Sequence, residues 1–424
     1  MALVSAPLSA STRRSIVLLS FATFASMTAQ RICDAMLPEL SRVFAVSLGQ
    51  AAQVVSFFAM TYGASQMFYG PVGDRLGKFR IITLATFVAS IGSLMAVLAG
   101  SLDTLVFARM LMAAGAAGLI PLAMAWVGDS VPTDQLQEML TRTGLGRTLG
   151  LVAGQLIGGV LTDALGWRWC FVFMTVLFAA VGLLLHRELR RQGLALFRTP
   201  ATAAATAASH GGVAGPTASA ESPTFARQIA SIAADPWSRM VLLIALVEGA
   251  AGFGVLAIWA SHLHERLGLS LSLAGAIVAL FGFGGMLYMA VGRRMISRFG
   301  QQGLVLVGGA IVGICTVVLA YTPHWAFAVP ASLMAGFGFF MFHNTIQANA
   351  TNMAPQARGT AVSIFASFLF LGQSIGVVMA ASLIGRVGSS AVVVGGGLVM
   401  ALEGIFFAWA LRRRRVQQAM GQTV

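Results

Sequence analysis

The stretch Gly70-Pro71-Val72-Gly73-Asp74-Arg75-Leu76-Gly77-Lys78-Phe79-Arg80 places four charges between two apolar runs, 51–70 and 81–100. Each run is long enough, as a helix, to cross the hydrocarbon core of a bilayer, which takes about 20 residues. The segment between them is too short for anything but a turn joining antiparallel neighbours. Gly70 and Gly77 let the backbone reverse tightly. Asp74 can face the N-terminus of an adjacent helix, whose dipole favours an anion. Lys78 and Arg80 anchor the turn at the membrane surface.

The same alternation extends in both directions. Apolar runs near 16–39, 51–70, 81–100, 104–128, 141–163 and 168–186 form one set, and 239–261, 271–291, 302–320, 325–347, 359–384 and 389–411 form another. Of 424 residues 57% are hydrophobic and 10% charged, with a mean hydropathy of +0.83. A soluble domain carries roughly a quarter charged residues, so a bilayer must solvate this chain. The expected fold is an all-α membrane protein of twelve transmembrane helices in two six-helix bundles. Its parts are an N-terminal tail (1–15), a first bundle (16–186), a linker (187–237), a second bundle (238–411) and a basic tail (412–424). Within the linker, 201–223 is mostly Ala, Thr, Ser and Gly with two prolines, a composition that cannot build a core. Gly154-Gln155-Leu156-Ile157-Gly158 recurs 218 residues later as Gly372-Gln373-Ser374-Ile375-Gly376, which points to two related halves.

The net charge of +13 is topological. With the N-terminus in the cytoplasm, 21 of the 27 Lys and Arg fall on cytoplasmic segments, Arg142 and Arg147 among them. Four (Arg42, Arg168, Arg266, Arg386) are external and two (Arg31, Arg109) lie within helices. Basic residues resist translocation, so both termini are expected in the cytoplasm, with the chain multi-pass in the inner membrane. Positive charge spread over alternate loops is not a nucleic-acid footprint; attraction to anionic lipid suits it better. Cys33, Cys170 and Cys315 stand singly and support neither a metal site nor disulfides. No phosphate-binding loop, zinc spacing or nucleophile elbow is present, so neither an enzyme nor a cofactor is expected.

The 70–80 turn closely resembles the signature loop of the major facilitator superfamily, a resemblance that spans the chain apart from its tails and linker. It implies a secondary transporter working by alternating access. It also implies that Asp74 helps latch the two halves in the outward-facing state, with Gly70, Arg75, Gly77 and Lys78 forming the latch loop and Asp129 joining its charge cluster. The second-half counterpart, 292–300, keeps Arg298 and Gly300 but has Ser297 where Asp74 would align. The segment from Arg109 to Gly118 resembles the helix-four motif in which the arginine is tied to proton coupling, with Met112 and Ala113 in place of the usual glutamine and glycine. Gly146, Gly150, Gly154 and Gly158 form a strip for close helix approach. The strip resembles the superfamily's antiporter motif, with Gln155 where that motif has proline.

Membrane-embedded polar groups mark candidate sites, because each costs several kcal/mol unless paired or hydrated. Asp34 on helix one has Arg31 three residues before it and Arg109 at similar depth on helix four, so an Asp34–Arg109 ion pair opened by proton or substrate is expected. A structural role for these charges is the competing reading. Glu248, among small residues of helix seven, suits a proton carrier or a cation site; Glu403 on helix twelve reads as packing. His343, Asn344 and Gln347 on helix ten and Tyr62 with Gln66 on helix two are expected in the cavity, with Phe253 and Trp259. Together these features suggest proton-coupled efflux of small, drug-like or metabolite molecules by a monomer. The alternative is a facilitator or symporter for a sugar or organic acid. A scaffold or sensor is disfavoured by the absence of a sizeable soluble domain.

Overall fold

The computed structural model describes residues 8–193, 196, 225–354 and 358–421; the Ala/Thr/Ser/Gly stretch 201–223 lies outside them. The described chain is almost entirely helical and contains no strand. Helix α1 (Ala10–Arg31) starts at Ser9, whose hydroxyl accepts the Thr12 amide, and stops at Arg31 rather than running on to residue 39. A turn at 32–36 and two short helices, Leu37–Val43 and Leu48–Ala51, lead into α2 (Gln53–Leu76). Then come α3 (Lys78–Val97), α4 (Leu102–Ser130, broken at Ala117 and Gly118), α5 (Thr133–Leu165) and α6 (Trp167–Arg191).

A surface helix, Phe225–Ala234, precedes the second set. It docks on α11 (Arg358–Val387) through a hydrogen bond between Thr360 and Gln228. Helix α7 (Pro236–Leu267) contains a wider π-turn at Gly249–Gly254. The 51-residue helix Leu271–Tyr321 breaks at Gly300 (φ 58°, ψ 178°) into α8 (271–299) and α9 (301–321). Helices α10 (Trp325–Thr351), α11 and α12 (Ser389–Gly421) complete the chain.

Nine of the described helices are long and apolar enough to cross a membrane, ten with the bent pair Leu37–Val43 and Leu48–Leu76. Leu271–Tyr321 counts once there but folds back as two spans. Helix α1 falls short because Arg13, Arg14 and Arg31 dilute it. The twelve-span, two-bundle architecture follows.

The turn at the heart of the sequence differs in one detail. Gly70 and Pro71 continue α2, and the reversal happens at Gly77 alone, in the left-handed region (φ 95°) where only glycine is unstrained. Gly300 makes the corresponding reversal in the second half. The glycine strip packs α5 on α1: a Cβ on Gly154 would stand 2.8 Å from the Thr28 carbonyl, and Gly158 abuts the Ile32 carbonyl. Gly372 and Gly376 repeat this for α11 on α7, against Leu246 and Ala250. Small residues let helices approach without steric cost, which replaces the hydrophobic drive that lipid removes.

The two halves meet along α2–α11 and α5–α8, always on the side away from Gly77. Ser56 Oγ donates to the Ser374 carbonyl (2.9 Å) and Ser367 Oγ to the Gly63 carbonyl (2.8 Å). Asp163 at the end of α5 accepts from the Ser272 amide and hydroxyl (2.6 Å each), at the N-terminus of α8, where the helix dipole favours a carboxylate. Gly159, Gly275 and Gly282 bring the backbones of α5 and α8 together. This face is sealed, and the face bearing Gly77 and Lys78 is not.

Candidate transport cavity and its buried charges

A cavity of about 750 Å³ opens on the Lys78 face between the first turns of α5 (Leu136, Gln137, Leu140) and the end of α8 (Met286, Met289). It continues into a narrower chamber of about 120 Å³ between the halves, and Ile120, Met124, Arg147 and Gln347 line both. Tyr62, Gln66, Phe253, His343 and Gln347, all anticipated in the cavity, line the inner chamber. Tyr62 shares a hydrogen bond with Ser26 (3.1 Å), and its ring meets Phe370 of the other half at 4.6 Å. Trp259 is instead buried in the second half, edge-on to Phe281, and Asn344 is half-buried away from the lining.

Asp34 lies in the turn just beyond α1, fully buried below the sealed face. Arg31 reaches its Oδ2 at 3.4 Å, and Gln155 Nε2 donates to the same oxygen at 2.8 Å. The expected Asp34–Arg109 ion pair does not form. Arg109 instead donates to the Ala29 carbonyl (2.8 Å) and lies 3.9 Å above the Phe58 ring. The Ala29 carbonyl, freed where α1 ends, and an aromatic face hold this guanidinium, although its Nη2 finds no partner among the described residues, and the carboxylate is left to Arg31. Gln155, the departure from the antiporter motif, is therefore what completes the Asp34 site.

Glu248 is fully buried at the last α-turn before the π-segment, and its Oε1 lies 2.8 Å from His343 Nδ1. His343 faces the chamber, so Glu248 stands directly behind the cavity wall. Phe253, carried inward by the π-turn, joins the two buried polar centres: Arg31 lies 4.5 Å over its ring, and it meets His343 edge-on at 6.1 Å. Widened turns of this kind are frequent at functional sites. Glu403 is also buried, and among the described residues neither of its oxygens has a hydrogen-bond partner.

Among the cavity residues not singled out from the sequence, two polar ones matter most. Arg147 had been assigned to the cytoplasmic surface by its place near a helix end, but it projects into the cavity wall. Gln30 lines the inner chamber, nearly buried, with no partner for its Nε2. The glycine strip held the clue to the first. Gly146 and Gly154 face α1, so the residues after them, Arg147 and Gln155, share the next face round the helix.

At the latch loop, Lys78 pairs with Asp74 (3.1 Å) and with Asp129 at the end of α4. Lys78 thus bridges Asp74 and Asp129. Arg75 and Gly70 make no polar contact there among the described residues. All of these contacts lie within the first half, as suits a face on which the halves have separated.

The family model described as the Major Facilitator Superfamily matches residues 19–377. The chain belongs to that superfamily. Multidrug resistance protein D of Escherichia coli (strain K12) is 31% identical over 155 residues, 36% of this chain and 39% of that protein. The riboflavin transporter RibZ of Clostridioides difficile (strain 630) is 26% identical over 157 residues, 37% of this chain and 34% of the relative. The matched segment thus spans little more than a third of either relative. Among solved structures, a bacterial homolog of the human lysosomal transporter Spinster superposes with a TM-score of 0.74 at 18% identity, covering 96% of this chain and 98% of the other. The nucleoside transporter NupG gives 0.70 at 12% identity, covering 95% and 99%. These likenesses carry the fold, and the relatives are transporters, not enzymes.

Proposed function

We propose that this superfamily member is a proton-coupled exporter of small molecules that works by alternating access. The single observation behind this reading is the cavity between the halves, open on one face only, with a buried carboxyl set behind its wall and another beneath its sealed end. Two rocking units, 16–186 and 238–411, joined by the linker 187–237, expose such a cavity to each side in turn. The positive-inside rule favours the Lys78 face, both termini and the linker on the cytoplasmic side of the inner membrane, so the state described faces inward. Drug-resistance relatives favour the export direction. The protein is taken to act as a monomer.

His343 supplies the proton step on the open side. Its ring faces the chamber, and its Nδ1 touches Glu248, so a proton taken from the cavity can be shared with a carboxyl that water does not reach. Asp34 serves the sealed side. Opening that face would separate α5 from α8 next to Gln155, whose carbonyl abuts Gly275, and so loosen the hydrogen bond that holds the carboxylate. Proteoliposomes containing the purified protein and a pH-sensitive dye test the reading. Substrate export should move protons the opposite way, and Glu248→Gln should abolish that movement. Export that continues unchanged without a pH gradient or counter-flow of protons refutes the coupling.

A further inference from the structure

Arg147 is the one cavity-lining group whose permanent charge is left uncompensated. It lines both chambers, and among the described residues it has neither a hydrogen bond nor a carboxylate partner. Among the described residues, no acidic one lines either chamber. The two nearby buried acids are already engaged, Asp34 by Arg31 and Gln155, and Glu248 by His343. A guanidinium inside the membrane boundary with no counter-charge is costly, and such groups mark the path of a substrate.

The rest of the chamber fits the same ligand. Gln30, 3% exposed, lines it with an Nε2 unpartnered among the described residues, a donor on the wall of the chamber that Arg147 also lines. Gln66, 7% exposed, leaves its Oε1 unpartnered there, an acceptor for a hydroxyl or N–H. The remaining surface is largely apolar, with Phe253, Phe340, Phe365 and Phe370 in the walls. We infer that the cargo is an organic anion, its carboxylate or sulfonate held by Arg147 and Gln30 and its apolar or aromatic body lying among those rings. A cationic cargo would meet an unshielded guanidinium with no acid to bind it. This inference names the cargo class of the transport cavity and rests on the transporter reading.

Calorimetric titration of the purified full-length protein with naphthoate, naphthamide and naphthylmethylammonium tests it, because the three share one aromatic body and differ in charge. A charge-assisted hydrogen bond contributes about 1.5–3 kcal/mol, so naphthoate should bind roughly tenfold or more tightly than the other two. Arg147→Gln should bring the three to parity, and Arg147→Lys should keep much of the preference. Parity or an ammonium preference in the native protein overturns the inference, as does a naphthoate preference that survives Arg147→Gln. A second measurement guards against a weak probe. The native cysteines are all buried. A cysteine introduced by Gln347→Cys should therefore react faster with an anionic than with a cationic methanethiosulfonate, and Arg147→Gln should erase the difference. Equal rates together with no binding of any naphthyl probe overturn it too. Neither assay needs a gradient. Arg147-dependent anion binding without proton movement would thus refute only the coupled-export reading, and proton-driven export of cations would refute only the anionic cargo.

Discussion

Replacing His343 with leucine decides whether the Glu248–His343 contact is an ion pair or a neutral hydrogen bond, because the two differ several-fold in free energy. The contact spans 2.8 Å between α7 and α10, Glu248 is fully buried, and its second oxygen has no partner. Interhelical hydrogen bonds in a membrane protein average about 0.6 kcal/mol and reach about 1.7. Removing one member of a buried ion pair costs about 3–5 kcal/mol, because the charge left behind has no compensation. Leucine keeps most of the side-chain volume against Phe253, Phe339, Phe340 and Phe365, which limits the packing loss. We expect an ion pair, hence a loss of about 3–5 kcal/mol in H343L. Most of that loss should be recovered in H343L/E248Q, where no charge is stranded. Detergent-induced unfolding of the purified protein in mixed micelles at neutral pH measures both. If H343L and the double variant lose the same roughly 0.6–1.7 kcal/mol, the contact is neutral and the argument from a stranded charge fails.

Other expectations follow from single contacts. Gln155→Leu removes the hydrogen bond to Asp34 and should cost about 1.5–3 kcal/mol of stability, with coupled transport falling; an unchanged pH profile of transport would separate Gln155 from the proton site. Gly158→Leu drives a side chain into the Ile32 backbone and should prevent stable packing of α5 on α1, read as loss of monodisperse protein on size exclusion. Asp74→Asn should slow transport several-fold at normal membrane insertion, and native turnover would remove Asp74 from the latch. Asp235 caps α7, accepting from the Ser238 amide at 2.8 Å. Burial opposes its ionisation, but the Ser238 hydrogen bonds prevail and hold the carboxyl below its ordinary value. That stabilisation is present above about pH 4 and lost as pH falls through the folded value. Asp235→Ala should lower stability by about 1 kcal/mol at neutral pH and less in acid.

The spans and the paired halves were legible because the bilayer fixes helix length and because glycine strips leave a four-residue period. The reversal at Gly77 was legible for the same local reason, though not that Gly70 would stay helical, since helix α2 simply outruns the hydrocarbon. What could not be read was rotation. Arg147 near a helix end looks like a topology signal, and only the packing of Gly146 on α1 turns it into the cavity. Arg109 illustrates the other gap. Its nearest formal counter-charge was Asp34, but the end of α1 in a turn at 32–36 frees a backbone carbonyl for Arg109 and brings the carboxylate to Arg31. The π-turn that swings Phe253 between the two centres likewise has no periodic signature in Gly249–Gly254.

The repeat that relates the halves also shows how they have diverged in use. Positions 147, 151 and 155 on α5 correspond to 365, 369 and 373 on α11, each pair 218 residues apart, and both series run down the inner faces of their helices. Arg147 and Leu151 line the chamber from one side, and Phe365 and Leu369 line it from the other. The first half therefore supplies a charge where the second supplies a ring, and a ligand spanning the chamber meets a polar pole and an apolar one. The glutamines diverge in the same way. Gln155 holds Asp34, whereas Gln373 is buried with both amide atoms unpartnered, because glycine (Gly252) stands in the second half where Asp34 stands in the first. The second half carries its acid four positions earlier, at Glu248, and answers it with His343 from α10. Two halves with identical buried acids would bind and release protons alike on both sides. Placing one acid under the sealed face and the other behind the open cavity makes the two sides inequivalent, so under the proposed proton coupling each state of the alternating cycle exposes a different acid.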